Sequence, residues 1–310
     1  MLSSFIIKLD MESTMSISEQ AANCNCPTKT ETEPSPKQPA EILPEKRFIN
    51  RIRQEFLTLP FFLLDKPISE YIYYDDKKKN ISYKTHVGFD IGCLKVFMLM
   101  NEMAYLQGQK YSTFKTLIST TCFGGDGSKE LARVENALSY INSFHIEAEF
   151  TEKSKKFWRN LIFTDSIFFE DEKNKTGRLD IVINSEYYNN IIKSNTQIIN
   201  VNIKNLNKIK GNNDNQRRLF LYLSAFNNIE KIAIETIFWK ANISNAQYDK
   251  NMTDEQCNNA MRKFKYNLLS GKYNEVLGYI EEQKNCFIRF DEKKEFLLFI
   301  KKSINEIQYI

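Results

Sequence analysis

Hydrophobic and polar positions change their spacing several times along the first half of the chain. Between Phe56 and Asp90, short aromatic and β-branched runs are bounded by Pro, Asp, Lys and Asn, a pattern that predicts strands. The next stretch, residues 91–107, is apolar on most sides. It follows Asp90, a good N-terminal cap, and stops before Gly108, so it predicts a buried central helix. A second, short helix is predicted over residues 111–119.

A strongly two-faced helix is predicted over residues 128–143. Its apolar positions recur every three or four residues and predict a face turned to a core, formed by Leu131, Val134, Leu138 and Ile141. Its opposite face carries Lys129, Arg133, Asn136 and Tyr140. Two strands are predicted next, and the loop between them, residues 151–160, is basic. The basic residues of this loop are Lys153, Lys155, Lys156 and Arg159.

A similar order begins again near residue 200. Helices are predicted over residues 215–226, 232–242 and 253–269, and the third opens with a capping box formed by Thr253 and Gln256. The outer face of that helix carries Asn259, Arg262, Lys263 and Tyr266. Strands are predicted over residues 275–282, 286–292 and 295–302; alternatively, the helix continues through Gly271 to Leu277.

The repeated order of helix, helix, strand, basic loop and strand is the plan of a winged helix. The predicted fold class is therefore α+β, with two tandem winged-helix domains over residues 46–200 and 201–310. Residues 1–45 are rich in Ser, Thr, Glu and Pro and predict a disordered N-terminal tail. The outer helix faces and the basic loop are the candidate DNA contacts, because Arg can bind guanine in a forked geometry, Asn can bind adenine, and Lys or Tyr can bind phosphate.

Charge adds modest support for an anionic partner. The 310 residues carry a formal net charge of +4, but residues 1–45 hold three lysines and seven acidic residues, so the remainder is more basic than the whole. No apolar run is long enough to predict a membrane span. The six cysteines lack the paired spacing of a zinc site, which favours free thiols in a reducing cytoplasm.

Residues 122–129, "CFGGDGSK", superficially resemble a phosphate-binding loop. A P-loop needs the lysine directly after the last glycine and a strand before the loop. Here Ser128 separates Gly127 from Lys129 and a helix is predicted upstream, so the stretch predicts a turn in which Ser128 caps the next helix.

Other catalytic constellations are weak. The two histidines, His86 and His145, are isolated from each other in sequence and are predicted to be ordinary half-buried side chains. The sequence therefore predicts no enzyme, no cofactor and no metal site. Asp171 and Lys173 only faintly suggest a metal-dependent nuclease, which stays a distant alternative.

Three stretches together resemble plasmid replication initiator proteins of the Rep type. They are "ARVENALSYINSFHIEAEF", then "LIFTDSIFFEDEKNKTGRLDIVINSEYYNNII", which contains an aspartate-rich hairpin, and then the paired-arginine helix "QRRLFLYLSAF". The resemblance covers roughly residues 50–300. It implies tandem winged-helix domains that bind double-stranded DNA at origin repeats (iterons), promote opening of an A/T-rich region, and recruit a host helicase or initiator.

The resemblance also implies a monomer–dimer equilibrium through the first domain, and DNA reading mainly through the last helix of the second domain. A winged-helix transcriptional regulator is the alternative that the sequence leaves open. It also leaves open whether Arg217 and Arg218 contact the DNA backbone or lie at the interface between the domains.

Overall fold

The computed structural model describes a single chain in which helices and short antiparallel sheets alternate. The described residues are 49–53, 57, 62–69, 72–76, 81–152, 155–169, 177–193, 198–209, 214–245 and 252–302. The predicted N-terminal tail lies outside them. Residues 43–310 belong to one compact unit, and the predicted division of that unit into two domains stays a prediction.

The elements of the first half begin with three strands and end with a strand near residue 200. Their bounds are β1 Ile49–Arg53, β2 Ile72–Asp76, β3 Ile81–Thr85, α1 Ile91–Gln107, β4 Lys110–Phe114, α2 Lys115–Phe123, α3 Ser128–Asn142, β5 His145–Glu152, β6 Lys155–Ile162, β7 Thr164–Phe169, β8 Arg178–Ile183, α4 Ser185–Tyr187 and β9 Ile198–Asn202. A π-helical turn, Tyr188–Ile192, extends α4.

The elements of the second half repeat part of that order. Their bounds are α5 Ile203–Lys208, α6 Asp214–Ser224, β10 Lys231–Ala233, α7 Ile234–Lys240, α8 Asp254–Leu269, α9 Asn274–Lys284, β11 Cys286–Phe290 and β12 Phe296–Lys301. No helix in the part of the chain that the structure describes has the length and apolarity needed to cross a membrane.

Two three-stranded sheets share one connectivity. In the first half, β4 lies between α1 and α2, and the sheet order is β4-β8-β7. In the second half, β10 lies between α6 and α7, and the sheet order is β10-β12-β11. In both sheets the strand that comes last in sequence pairs antiparallel with the strand that lies between the helices. Each half thus places a helix-rich segment against a sheet closed by a C-terminal hairpin.

The remaining strands form two further antiparallel sheets. One has the order β2-β3-β5-β6, and the other pairs β1 with β9. The hairpin β5–β6 therefore belongs to a different sheet from β4. The basic segment predicted to be a loop lies largely within strand β6, so that part of the prediction is wrong. All of the residues from Lys155 to Ile162 pair with β5.

Helix α1 is the centre of the first half, as the sequence predicts. The Asp90 side chain accepts a hydrogen bond from the Cys93 N–H at 2.6 Å, and the helix ends at Gly108, whose φ of 112° favours glycine. Phe97 of α1 packs against several buried rings, including Phe163 at 4.5 Å and Phe144 at 5.8 Å between centroids. This aromatic cluster fixes the end of α3 and the start of β5 against α1.

Several local predictions are confirmed and others are wrong. The capping box of α8 is present, with the Gln256 N–H donating to the Thr253 hydroxyl at 3.3 Å and the Thr253 N–H donating to the Gln256 side chain at 2.8 Å. Residues 110–114 form strand β4 instead of a helix, because exposed and buried side chains alternate there with a period of two.

The segment predicted as a strand over residues 275–282 is part of helix α9. Its buried residues Val276, Leu277 and Ile280 are spaced as on one face of a helix. In a strand, the adjacent residues Val276 and Leu277 would point to opposite faces. Gly271, with a φ of 84°, separates α8 from α9 and rules out one continuous helix.

The glycine-rich stretch is a turn between two helices. Helix α2 precedes it and ends at Gly124, whose φ is 80°. Gly127 occupies the N-cap position of α3, and Ser128 is the first helical residue, so the prediction that Ser128 is the cap is wrong. The helix before the turn agrees with the rejection of a P-loop.

Candidate nucleic-acid interface

The outer face of α8 gathers the four residues predicted to read DNA. Asn259, Arg262, Lys263 and Tyr266 are all exposed, and the Tyr266 side chain is 70% exposed. Phe264 and Leu268 are buried on the opposite side of the helix. The burial of those two residues fixes the rotation of α8 and turns the polar face to solvent.

Acidic and basic residues lie at different ends of α8. Asp254 and Glu255 lie in the first turn, where carboxylates stabilise the positive end of the helix dipole. Arg262, Lys263 and Lys265 lie in the second half of the helix. Within the described ranges, no acidic side chain forms an ion pair with Arg262 or Lys263. Both cations therefore face solvent and are accessible to an anion.

The side chains on the outer face of α3 make more contacts within the protein than those on the outer face of α8. Lys129, Arg133 and Asn136 are exposed, and Tyr140 is half-buried against the core. The Arg133 guanidinium lies 4.1 Å from the centroid of the Phe123 ring, a cation–π contact that restrains it. Glu135 on the same helix forms an ion pair with Lys115, so acidic charge also lies on this surface. Helix α3 is thus a weaker anion surface than α8.

The third predicted group of DNA contacts is only partly within the described residues. Lys153 lies outside them. Lys155, Lys156 and Arg159 have described backbone positions in β6, opposite Glu152, Thr151 and Ala148 of β5. The structure does not bring this group into the same sheet as β4, and it leaves their role as DNA contacts a prediction.

The hairpin β11–β12 is a candidate DNA contact that the sequence pattern did not indicate. Its turn carries exposed Lys293 and Lys294, next to Glu292 and Glu295. The Asp291 carboxylate accepts hydrogen bonds from the Glu295 N–H at 2.7 Å and the Phe296 N–H at 2.8 Å, and these bonds hold the pKa of Asp291 below its usual value. The two adjacent lysines between two predicted strands indicate only that a hairpin tip carries exposed cations, beside an equal or larger number of carboxylates.

The two adjacent arginines of α6 have different environments. The Arg217 guanidinium donates to Asp214 at 3.1 Å and to the Ile209 carbonyl at 3.0 Å. Arg218 is fully buried and donates to the Asp65 carboxylate and the Asn242 carbonyl. Arg218 therefore links α6 internally to the segment around Asp65, and its burial excludes contact with a DNA backbone.

A buried lysine lies close to the basic side chains of α3 and α6. The Lys95 ammonium donates to the Asn207 side chain at 2.5 Å and to the Cys122 carbonyl at 3.3 Å. Burial, followed by the charges of Arg217 and Arg133, lowers the pKa of Lys95 to about 8. The described cysteines Cys93, Cys122, Cys257 and Cys286 are free thiols, as predicted.

The two histidines, distant in sequence, meet in the structure; His145 is half-buried as predicted, whereas His86 is exposed. The imidazole rings of His86 and His145 lie 4.2 Å apart between centroids. Glu147 Oε1 is 3.9 Å from Nε2 of each. The pairing of β3 with β5 joins segments that are distant in sequence, and only the local His145-x-Glu147 spacing was visible beforehand.

Comparisons with known proteins give structural neighbours only. No protein-family model matches the chain, and no curated protein matches it. Among solved structures, the chain is similar to domains 2 and 3 of RctB. A selenomethionine derivative of those domains has a TM-score of 0.47 at 8% identity, covering 76% of this chain and 88% of that one. A second RctB structure has a TM-score of 0.48 at 10% identity, covering 79% and 96%. A likeness of this extent does not assign the chain to a family.

Proposed function

We propose that the chain is a DNA-binding initiator of plasmid replication with two tandem winged-helix domains and no catalysis of its own. The observation that carries the proposal is the repeated connectivity of the sheets β4-β8-β7 and β10-β12-β11. Helices lie between the strand β4 or β10 and the hairpin that closes its sheet: α2 and α3, followed by the separate hairpin β5–β6, in the first half, and α7, α8 and α9 in the second. Helices followed by a hairpin are the order in which a winged helix supplies a reading helix and a wing.

Helix α8 is the proposed reading helix of the second domain. Its exposed face holds Arg262, Lys263, Asn259 and Tyr266 over two helical turns, a set able to bind both base edges and phosphates. The turn of β11–β12, with Lys293 and Lys294, is the proposed wing. In this proposal, α8 supplies sequence discrimination and the wing supplies contacts to the DNA backbone.

The first domain has the supporting role. Helix α3 carries exposed Lys129, Arg133 and Asn136, but the Lys115–Glu135 ion pair and the Phe123 contact reduce its free positive charge. We assign it contacts with the DNA backbone and a part in a monomer–dimer equilibrium. The sequence resemblance to Rep-type initiators supports repeated origin sites as the target and a host helicase or initiator as the protein partner.

Footprinting on the DNA that flanks the gene tests the proposal. An initiator is expected to protect tandem repeats spaced by about two helical turns, beside an A/T-rich stretch. Protection of a single palindrome in a promoter would instead favour the transcriptional regulator. Equal binding to flanking and scrambled DNA would overturn sequence-specific recognition altogether.

A further inference from the structure

We propose that His86, His145 and Glu147 bind a divalent first-row transition-metal ion, with Zn²⁺ as the natural probe. This inference does not depend on the proposed DNA binding. It starts from the register of β3 and β5, which pairs Thr85 with Ile146 and Lys84 with Glu147.

The register places the three ligands on one face. Continuing it by one residue places His86 opposite His145. Because side chains alternate across a strand, His86 shares a face with Lys84, and His145 shares a face with Glu147. Backbone pairing therefore brings two imidazoles and one carboxylate together without requiring any long flexible side chain.

The separations are close to those of a metal site. One ligand atom from each residue lies within 4.8 Å of the other two, and the two Nε2–Oε1 distances are both 3.9 Å. Ligands of tetrahedral Zn²⁺, at bond lengths near 2.0–2.1 Å, are separated by about 3.3 Å. His86 is exposed and His145 and Glu147 are half-buried, so small side-chain rotations can close the difference.

Neighbouring groups orient the ligands. The Lys84 ammonium donates to Glu147 Oε2 at 2.8 Å, which leaves Oε1 directed to the imidazoles. The buried Thr85 hydroxyl lies 2.9 Å from the carbonyls of both Val87 and His145, and so ties the two ligand-bearing backbones together. Supporting contacts of this kind are typical of metal centres.

The ligand set selects the class of metal. Imidazole nitrogens suit zinc and its neighbours, whereas magnesium and calcium prefer oxygen ligands. Two histidines and one glutamate leave further coordination positions for water. A bound ion would join the segment before α1 to the segment after α3, because His86 precedes the Asp90 cap and His145 follows the end of α3.

The test uses untagged, full-length protein in which Cys24 and Cys26 are replaced by serine, so that the tail thiols do not bind the ion. Calorimetric titration with Zn²⁺ should give one site per chain. His86→Gln, His145→Gln and Glu147→Gln should each weaken binding at least tenfold. Glu235→Gln, at an exposed carboxylate on α7, is the matched control and should bind as the parent protein does.

A second measurement needs no substitution at the site. The chain has only two histidines, so its NMR spectrum contains only two imidazole spin systems. Zn²⁺ should shift both together, and Mg²⁺ should shift neither. The proposal is overturned if the two imidazoles do not respond to Zn²⁺, or if the histidine variants fold normally and bind it as tightly as the control does.

Discussion

Arg218 of α6 forms an ion pair with Asp65, a residue that lies 153 positions earlier in the chain. The guanidinium is fully buried, whereas the Asp65 side chain is about half exposed. Burial lowers the pKa of Arg218 to about 10, so the side chain stays charged at neutral pH. The Asn242 side chain also donates to the Leu63 carbonyl at 3.2 Å, so two polar links join the same segment to the second half.

Removing the carboxylate of this pair should destabilise the protein. Asp65→Asn leaves a buried guanidinium with less compensation, at an expected cost of about 1–3 kcal/mol in the free energy of unfolding. Denaturant titration measures it. In the neighbouring Arg217–Asp214 pair the arginine is partly exposed, whereas Arg218 is fully buried, so Asp214→Asn should cost less than about 1 kcal/mol. Equal costs for the two variants would contradict the structural importance of the Asp65–Arg218 link.

Arg262 should contribute to sequence discrimination. If its guanidinium binds a base edge, Arg262→Ala should cost about 1–3 kcal/mol in binding the cognate repeat and much less in binding scrambled DNA. Arg262→Lys keeps the charge but loses the forked geometry, so it should recover non-specific binding and not discrimination. Fluorescence anisotropy on both DNAs measures this. A variant with unchanged discrimination would remove Arg262 from the reading face.

Lys293 and Lys294 should contribute to binding of any DNA sequence. Replacing both with alanine should reduce the slope of log K against log salt by about 2, because each phosphate contact releases about 0.9 counterion. The same measurement on Lys155→Ala/Lys156→Ala tests the hairpin that the sequence pattern indicated. If the Lys293/Lys294 variant keeps the wild-type slope and the Lys155/Lys156 variant has a reduced slope, the wing is the hairpin β5–β6 instead.

Lys95 should make the free energy of unfolding depend on pH in the alkaline range. Its pKa is about 8 in the folded protein and 10.5 in an exposed chain. Below pH 8 the ammonium is charged in both states, and folding carries the full cost of burying it. Between those values the unfolded chain holds more protons, so this contribution to stability rises with pH. The nearby ionisable groups are Arg217, Cys122, Arg133 and Asp90.

From pH 7 to pH 10, wild type should gain about 2–3 kcal/mol relative to Lys95→Met, as measured by denaturant unfolding at each pH. Lys284, whose pKa burial also lowers to about 8, should behave in the same direction. A difference between wild type and Lys95→Met that is the same at both pH values would show that Lys95 titrates normally.

Local signals account for what the sequence predicted well. The Asp90 cap and Gly108 bound α1 correctly, and the Thr253–Gln256 capping box begins α8 correctly, because these signals act within a few residues. The outer face of α8 followed from the spacing of Phe264 and Leu268. Helix α9 was missed because its short apolar run, "EVLGYI", is compatible with either a strand or a helix.

Non-local pairing accounts for most of what the sequence did not predict. Lys155 was predicted to lie in a loop because its segment is rich in charged residues. Pairing with β5 nevertheless makes that segment a strand, and the local charge pattern does not reveal such pairing. His86 and His145 carry no signal of their proximity, since it depends on the pairing of β3 with β5. The burial of Arg218 likewise depends on Asp65, which no spacing rule connects to α6.

The pairing of β1 with β9 decides how this protein can be divided for separate expression. A fragment that stops before Ile198 would leave β1 without its partner and expose unsatisfied backbone groups along a strand edge. A fragment that begins at α5 would lack Asp65 and leave the Arg218 charge without its carboxylate. The first half should therefore extend through Asn202, and an isolated second half should be less stable than the same residues within the whole chain, because it lacks the contacts from Leu63 and Asp65.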